Sequence, residues 1–422
     1  MSLRSSRAVA VGLVTLATFT DIVAYSVAVP VLPDLSRRLG ASPTTIGLLF
    51  ASFGVTLLSV SMPMGAVSDR IGRKAPLVGG LIALAAATWL FAFAHRLVWL
   101  FAARLVQGAA DAVTWVVGFA LIADLYGPAE RGRVVGMVMS GTGFGLMIGP
   151  SLGGWLYEIG GMRLPFLTVG ALSLLAALAF IWIEIPNERA ELDRVPLAAV
   201  LRTPAVASCA GAVVAASATI SMLEPMLPLF LSTRLGLGPA RIGFVFGIGA
   251  AVSSALHPIF GRLADRWGGR RLTMTGLVLV ACVLPLLSRA WSYPSAVGLY
   301  VLQAAMVASV ITPSLAYMAE ATSHAGVGSF GVAYGLYNVA WGVGLLGGPA
   351  LGGFLFERIG FSRLALCWAP LLVIVAVLLA RANPKSGQPP SPRLRRSAEA
   401  LAEAEAMRRR KPDTTTTVRS GT

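Results

Sequence analysis

Asp21 stands in the run "ATFTDIVAYSVAVPVLP" (17–33), with no other charge for a dozen residues on either side. Such a carboxylate has no partner nearby in sequence. Arg104, Asp111, Glu224 and His257 also interrupt apolar stretches. Groups of these types hold protons, pair with one another or bind charged ligands. Arg104, Gln107 and Asp111 follow an i, i+3, i+7 spacing, which puts them on one face of a helix. Tyr25 lies one turn from Asp21, and Trp115 one turn from Asp111. Tyr334, Asn338 and Trp341 repeat at i, i+4, i+7. Faces of Tyr and Trp attract organic cations by about 0.5–2 kcal/mol each, so a carboxylate flanked by such rings suits a cationic organic ligand. Plainer readings stay open: Asp111 neutralises Arg104, His257 is a packed, hydrogen-bonded histidine, and the rings serve as core or lipid-facing packing.

The elements that must position these groups follow from composition. The 422 residues are 56% hydrophobic and 13% charged, against about 45–50% and about 25% in soluble domains, and the mean hydropathy is +0.76. This is the composition of a polytopic membrane protein. A bilayer core of about 30 Å takes roughly 20 apolar residues in a helix. Twelve stretches meet that length: 8–32, 45–67, 76–95, 98–123, 134–157, 164–184, 206–232, 240–261, 272–290, 294–319, 329–356 and 362–381. Transmembrane strands would need alternating segments of about 10 residues, and "GGLIALAAATWLFAFA" (79–94) does not alternate. The expected fold class is therefore all-α: twelve transmembrane helices, with the 46 glycines serving close helix contact. An ionisable group at a helix centre in the bilayer costs at least about 2.5–3.5 kcal/mol and normally faces a cavity or a partner. Asp21 and its companions are thereby candidate functional residues.

The start "MSLRSSRAVAVGLV" reads as the first span, because its apolar run of about 25 residues exceeds a secretory-signal core of about 7–15. Cys209, Cys282 and Cys367 all fall within spans, so no disulfide framework is expected. Lys and Arg are in excess in the segments on the side of the termini, with or without the C-terminal tail; this places both termini in the cytoplasm and the protein in the cytoplasmic (inner) membrane. The net charge of +15 is then topology and attraction to anionic lipid, with no nucleic-acid partner. No metal-ligand spacing, phosphate loop or catalytic constellation occurs, so neither an enzyme nor a cofactor is expected. The expected partners are a small-molecule substrate, protons and the bilayer, for a monomer.

The chain divides into repeats. "GAVSDRIGRK" (65–74) recurs as "GRLADRWGGR" (261–270) at an offset of 196, as do Gln107 as Gln303 and Asp124 as Glu320. "VPVLPDLSRRLGASPTTIG" (29–47) recurs as "EPMLPLFLSTRLGLGPARIG" (224–243), and "GFGLMIGPSLGGWLYEIG" (143–160) as "GVGLLGGPALGGFLFERIG" (342–360). Two pseudo-symmetric six-helix halves follow, 1–185 and 205–382, joined by a cytoplasmic linker, 186–204, and followed by a disordered basic cytoplasmic tail, 383–422. Parallel six-helix repeats are a transporter architecture with the substrate site at mid-membrane between them.

"GAVSDRIGRKAPL" resembles the signature loop between the second and third helices of the major facilitator superfamily, and "RLVQGAADA" (104–112) its fourth-helix motif. "GTGFGLMIGPSLGG" (141–154) is similar to the fifth-helix motif of its proton-coupled antiporters. Asp21 with "VAVPVLP" (27–33), and "MLEPMLP" (222–228), resemble the first and seventh helices of vesicular amine transporters and their bacterial drug-exporter relatives. Two departures weaken the analogy: Phe53 stands where those proteins carry a lysine, and Asn338 where they carry an aspartate.

On this resemblance the chain is expected to be a proton-coupled antiporter exporting amphipathic, cationic organic compounds by alternating access. Asp21, Glu224, Asp111, Arg104 and Glu320 are the expected coupling residues, with Glu224 further outward than Asp21. Tyr25, Gln107, Trp115, Tyr334, Asn338 and Trp341 are the expected substrate contacts. Gly65, Asp69, Arg70, Gly72, Arg73, Asp124, Asp265 and Arg266 are expected to form a cytoplasmic gate. Gly145, Gly149, Pro150, Gly348 and Pro349 are expected to form a packing seam between the halves on the external side. Export of neutral or anionic metabolites through Arg104, and a non-transporting sensor on the same scaffold, are the alternatives.

Overall fold

The computed structural model describes residues 3–182, 203–324 and 330–381; the expected linker and tail lie outside them, apart from the last two linker residues. Every described element is helical. In chain order they are α1 (Leu3–Ser26), α2 (Pro43–Ile71), α3 (Lys74–Phe93), α4 (Leu97–Leu125), α5 (Pro128–Gly160), α6 (Arg163–Trp182), α7 (Pro204–Leu235), α8 (Pro239–Trp267), α9 (Gly269–Val283), α10 (Tyr293–His324) and a helical stretch Phe330–Arg381. A 3-10 turn and a short helix, Leu32–Leu39, extend α1; a 3-10 turn, Leu284–Arg289, extends α9. The last stretch breaks at Gly360, with φ 74°, into α11 (330–359) and α12 (361–381).

Among the described residues, eleven helices are long and apolar enough to cross a membrane, the last of 49 residues. At 1.5 Å per residue those 49 would span about 70 Å, more than twice a bilayer core of about 30 Å. The break at Gly360 therefore divides two crossings, giving twelve.

Local chemistry sets the boundaries. Pro43, Pro128, Pro204 and Pro239 open their helices at positions where the missing N–H costs nothing. Six glycines among the described residues adopt positive φ and form three pairs related by the repeat: Gly40 with Gly236, Gly72 with Gly268, Gly161 with Gly360. A residue with a Cβ is strained there, so the repeat preserved the turns along with the sequence. Lys74 Nζ donates to the Ile181 carbonyl, 2.9 Å, at the end of α6. Its twin Arg270 donates to the Leu379 and Ala380 carbonyls at the end of α12, 2.9 and 2.7 Å.

The halves meet along α2 against α11 and α5 against α8. Both seams use glycine on one side and a proline carbonyl on the other. A Cβ on Gly47 would overlap the Pro349 carbonyl oxygen, and one on Gly243 would overlap that of Pro150. The sequence expectation is corrected for part of this set. Gly145 and Gly149 pack on Phe19, Val23 and Ser26 of α1, and Gly348 on Ala218 and Ser221 of α7, each within its own half. Their four-residue spacing serves intra-half contact, while Pro150 and Pro349 face the other half. Two glutamates that the sequence reading passed over complete the seam. Glu158 accepts from the Ala240 amide, 3.3 Å, and Glu357 from the Thr44 amide, 3.0 Å, so each half caps a helix of the other.

Candidate functional site

Seven helices, α1 to α4, α7, α10 and α11, converge on the buried polar groups and the rings around them. Asp21, on α1, is 1% exposed and accepts from Trp115 Nε1 on α4 at 3.2 Å. The carboxyl of Asp111, one turn before Trp115, lies close enough to Asp21 and Trp115 to interact with both. Two carboxyl groups in such contact need a proton or a cation between them. From Trp115 a ladder of rings leads to the second half: Trp115 stacks on Phe119 at 5.5 Å, and Phe119 meets Tyr334 of α11 at 5.5 Å. Asn338 bonds Tyr334. The result is a pair of acids flanked by a wall of aromatic faces that spans both halves, a chemistry suited to an organic cation.

Glu224, on α7, forms a second centre. The Tyr25 hydroxyl donates to Glu224 Oε2 across the two halves; Arg104 lies close enough to exert its charge on Glu224, and Tyr300 lies within reach of the Glu224 charge. Arg104 is fully buried among three rings, 4.2 Å from the centroid of Phe50 and 5.3 Å from those of Tyr25 and Phe91. Its Nη1 donates to the Tyr25 carbonyl and to Gln107 Oε1, both 3.3 Å, and Gln107 in turn donates to Thr88, 3.2 Å. Asp111 is thus paired with Asp21 and Trp115 and does not neutralise Arg104. The physical reason is distance along the helix: Asp111 lies two turns, about 10 Å, beyond Arg104 on the same face of α4, at the level of Asp21.

Two expected residues, Trp341 and Glu320, are not gathered here, nor is His257, whose plainer reading is a packed, hydrogen-bonded histidine. Trp341 stacks on Tyr337 at 6.2 Å, whose hydroxyl is held by the Ile311 carbonyl. Glu320 lies 20 residues beyond Tyr300 on α10, about 30 Å along a helix rising 1.5 Å per residue, and is exposed. It is therefore not placed with the buried acids. His257 bonds Thr312 Oγ1 at 2.7 Å.

The charge cluster between α2 and α4 assembles inside the first half. Arg73 donates through Nε to Asp124 Oδ2, 2.7 Å, and through Nη1 to Asp69 Oδ1 and Ser68 Oγ, both 2.6 Å. Burial pulls the Arg73 guanidinium down, but hydrogen bonds and charges from Asp124 and Asp69 outweigh this and hold it above the ordinary arginine range. In the second copy Gly269 replaces Arg73 at the same offset, so Asp265 and Arg266 lack an equivalent centre; both are exposed, as is Arg70. Gly72 supplies the positive-φ turn, whereas Gly65 has room for a side chain, its nearest neighbour being Val116 at 3.8 Å. Asp124→Asn should therefore remove up to about 3 kcal/mol, since Arg73 would remain buried with a weaker partner. Thermal unfolding in detergent, compared with exposed Asp265→Asn, checks this.

Phe50, Phe91 and Tyr300 also belong to these centres and were not singled out. The offset of 196 pairs Phe50 with Phe246, Arg104 with Tyr300 and Gln107 with Gln303. The Arg104–Phe50 stack of the first half is matched by Tyr300 on Phe246, centroids 4.6 Å apart, in the second. Gln303, 1% exposed, has neither amide atom partnered among the described residues, because Tyr300 and Leu284 stand where Gln107 finds Arg104 and Thr88.

Two repeated six-helix halves with ionisable groups buried where they meet define a membrane transporter of the parallel-repeat class. The comparisons place it further. The profile of the Major Facilitator Superfamily matches residues 14–223 and again 209–414, and the chain belongs to that superfamily, whose members among its relatives are transporters rather than enzymes. It is 30% identical over 345 residues to the human synaptic vesicular amine transporter, covering 79% of this chain and 65% of the relative. It is 28% identical to the human MFS-type transporter SLC18B1, covering 81% and 79%, and 30% identical to the rat vesicular acetylcholine transporter, covering 78% and 65%. The chain thus spans about two thirds of the length of the amine and acetylcholine relatives. In structure it is similar to a bacterial homolog of the human lysosomal transporter Spinster, in an inward-facing and occupied conformation, with TM-score 0.78, 16% identity and coverage of 89% and 97%. It is also similar to the human organic anion transporter MFSD10, with TM-score 0.65, 19% identity and coverage of 88% and 99%. Both establish the fold alone.

Proposed function

We propose that this protein is a proton-coupled antiporter of amphipathic organic cations, working by alternating access between its two halves. The observation that carries the proposal is Asp21, a buried carboxyl whose described partners are Trp115 and a second acid, Asp111. A charge in that position is costly without a counter-charge, so a proton and a substrate cation compete for it. Similarity to vesicular amine and acetylcholine transporters supports the same substrate class. The direction we propose is export across the cytoplasmic membrane, with both termini inside, by a monomer that needs no cofactor. Residues 1–185 and 205–382 are the proposed moving halves.

Arg104 does not favour the anion reading. It is sealed behind Tyr25, Phe50 and Phe91, and an anion would have to displace a ring to reach it.

The test uses purified protein in liposomes with an imposed pH gradient and a panel of cationic, neutral and anionic dyes. Accumulation of cationic dyes that collapses with the gradient is expected. Accumulation of anionic dyes alone would overturn the proposal.

A further inference from the structure

An exchanger works only if the carrier cannot cross empty. A carrier that returned with neither proton nor cation would let substrate leak down its own gradient. The structure contains a bond with the properties required to forbid that step. The Tyr25 hydroxyl, in the first half, donates to Glu224, in the second; both side chains are buried. Ser26 and Val27, next to Tyr25, pack on Gly149 and Gly153 of α5, in the stretch where Pro150 and Gly154 meet α8, one turn before the Glu158 cap; this is the closed end of the seam. Opening this end must pull α1 from α7 and break the bond. Tyr25 is itself held firmly: its carbonyl accepts from Arg104 at 3.3 Å, and its ring lies 4.9 Å from Phe53 and 5.3 Å from the Arg104 guanidinium. The other titratable or charged groups facing Glu224 are Arg104 from α4 and Tyr300 from α10, while Asp111 acts on Tyr25.

We propose that the Tyr25–Glu224 hydrogen bond is the tie that keeps the empty carrier from changing sides, and that a proton or a substrate cation on Glu224 releases it. This rests on the antiport reading above. A phenol donating to a carboxylate makes a charge-assisted bond, roughly twice as strong as one to a neutral acid. The tie is therefore strongest when Glu224 carries neither ligand. A proton removes the charge, and a cation competes for the same oxygens. Tyr25 is in this account a positioning residue whose hydroxyl acts through Glu224, and its ring is structural.

The test compares two fluxes of N-methyl-4-phenylpyridinium, a permanently charged aromatic cation, in proteoliposomes at pH 9 on both sides. Exchange of labelled for unlabelled cation never needs the empty carrier, whereas net efflux at scarce protons does. In the wild type the ratio of net efflux to exchange should be low. Tyr25→Phe keeps the ring and removes the hydroxyl; the ratio should rise about ten- to hundredfold, the range set by one hydrogen bond to a charged group. Glu224→Gln, permanently neutral, should raise it as well and serves as the second variant. A role of the hydroxyl in stability or substrate contact alone would lower both fluxes together, and an unchanged ratio in the two variants would overturn the proposal. A wild type whose net efflux already equals its exchange would instead overturn the antiport reading.

Discussion

Asp21→Asn should yield folded protein in the membrane that no longer accumulates organic cations against a proton gradient, with uptake reduced at least about tenfold. Asparagine is nearly isosteric and still accepts a hydrogen bond from Trp115 Nε1, so the packing of α1 on α4 is retained. What disappears is the negative charge. An unpaired charge at bilayer depth is costly; in the proposed mechanism the wild-type carboxyl escapes that cost by holding either a proton or a cation, and the amide would bind neither. Removing one member of the Asp21–Asp111 pair leaves Asp111 to meet a cation alone, so residual downhill movement is compatible with the account. Gradient-driven uptake at the wild-type rate would shift the coupling role to Glu224 and Asp111. Flux measured in liposomes, beside size-exclusion profiles of the variant, decides the matter.

Gly243→Ala and Gly47→Ala should each reduce transport about tenfold or more, with little effect on the stability of either half alone. A methyl group at either position meets a main-chain carbonyl, Pro150 for Gly243 and Pro349 for Gly47, and backbone inside a helix cannot turn aside as a side chain can. Overpacking of this kind costs about 1–3 kcal/mol, and the α5–α8 and α2–α11 seams relieve it by separating the halves. Closure at that end is thereby disfavoured. Alanine at Gly79, where a Cβ meets nothing within 4 Å, is the matched control. Distances between spin labels at Arg38 and Arg234, across the seam, should lengthen in the seam variants and stay put in the control. Equal distances in all three would assign the seam glycines no part in closure.

Much of the architecture is legible in the sequence because membrane helices announce themselves by length and hydropathy, and because the repeat carries its turns with it. Each positive-φ glycine has a twin at a nearly constant offset, so one half predicts the other. The last two crossings were legible as 329–356 and 362–381, because Glu357 and Arg358 interrupt the apolar run; what the sequence did not show is that the helical stretch continues between them with no loop and turns at Gly360. The buried acids were visible as lone charges in apolar runs. Their pairing was not, since the i, i+7 relation of Arg104 and Asp111 places both on one broad face without saying which neighbour each meets. The rings around Arg104 come from three different helices, and nothing in any one helix marks Phe50 or Phe91 as its partner. The glycine spacing of α5 likewise revealed a smooth face but not its occupant, which is α1 for Gly145 and Gly149. Glu158 and Glu357 were present in both copies of the quoted repeat, and their agreement was the available signal.

The central claim is that proton and cation compete for one buried acid, and proton release on ligand binding tests it most directly. Purified protein in weakly buffered detergent solution is titrated with N-methyl-4-phenylpyridinium, which carries no exchangeable proton, and pH is followed with a dissolved indicator. The account predicts that the wild type acidifies the solution in proportion to the cation bound, and that Asp21→Asn releases measurably less. Saturable binding of the cation by the wild type with no release of protons at any starting pH between 6 and 9 would contradict it.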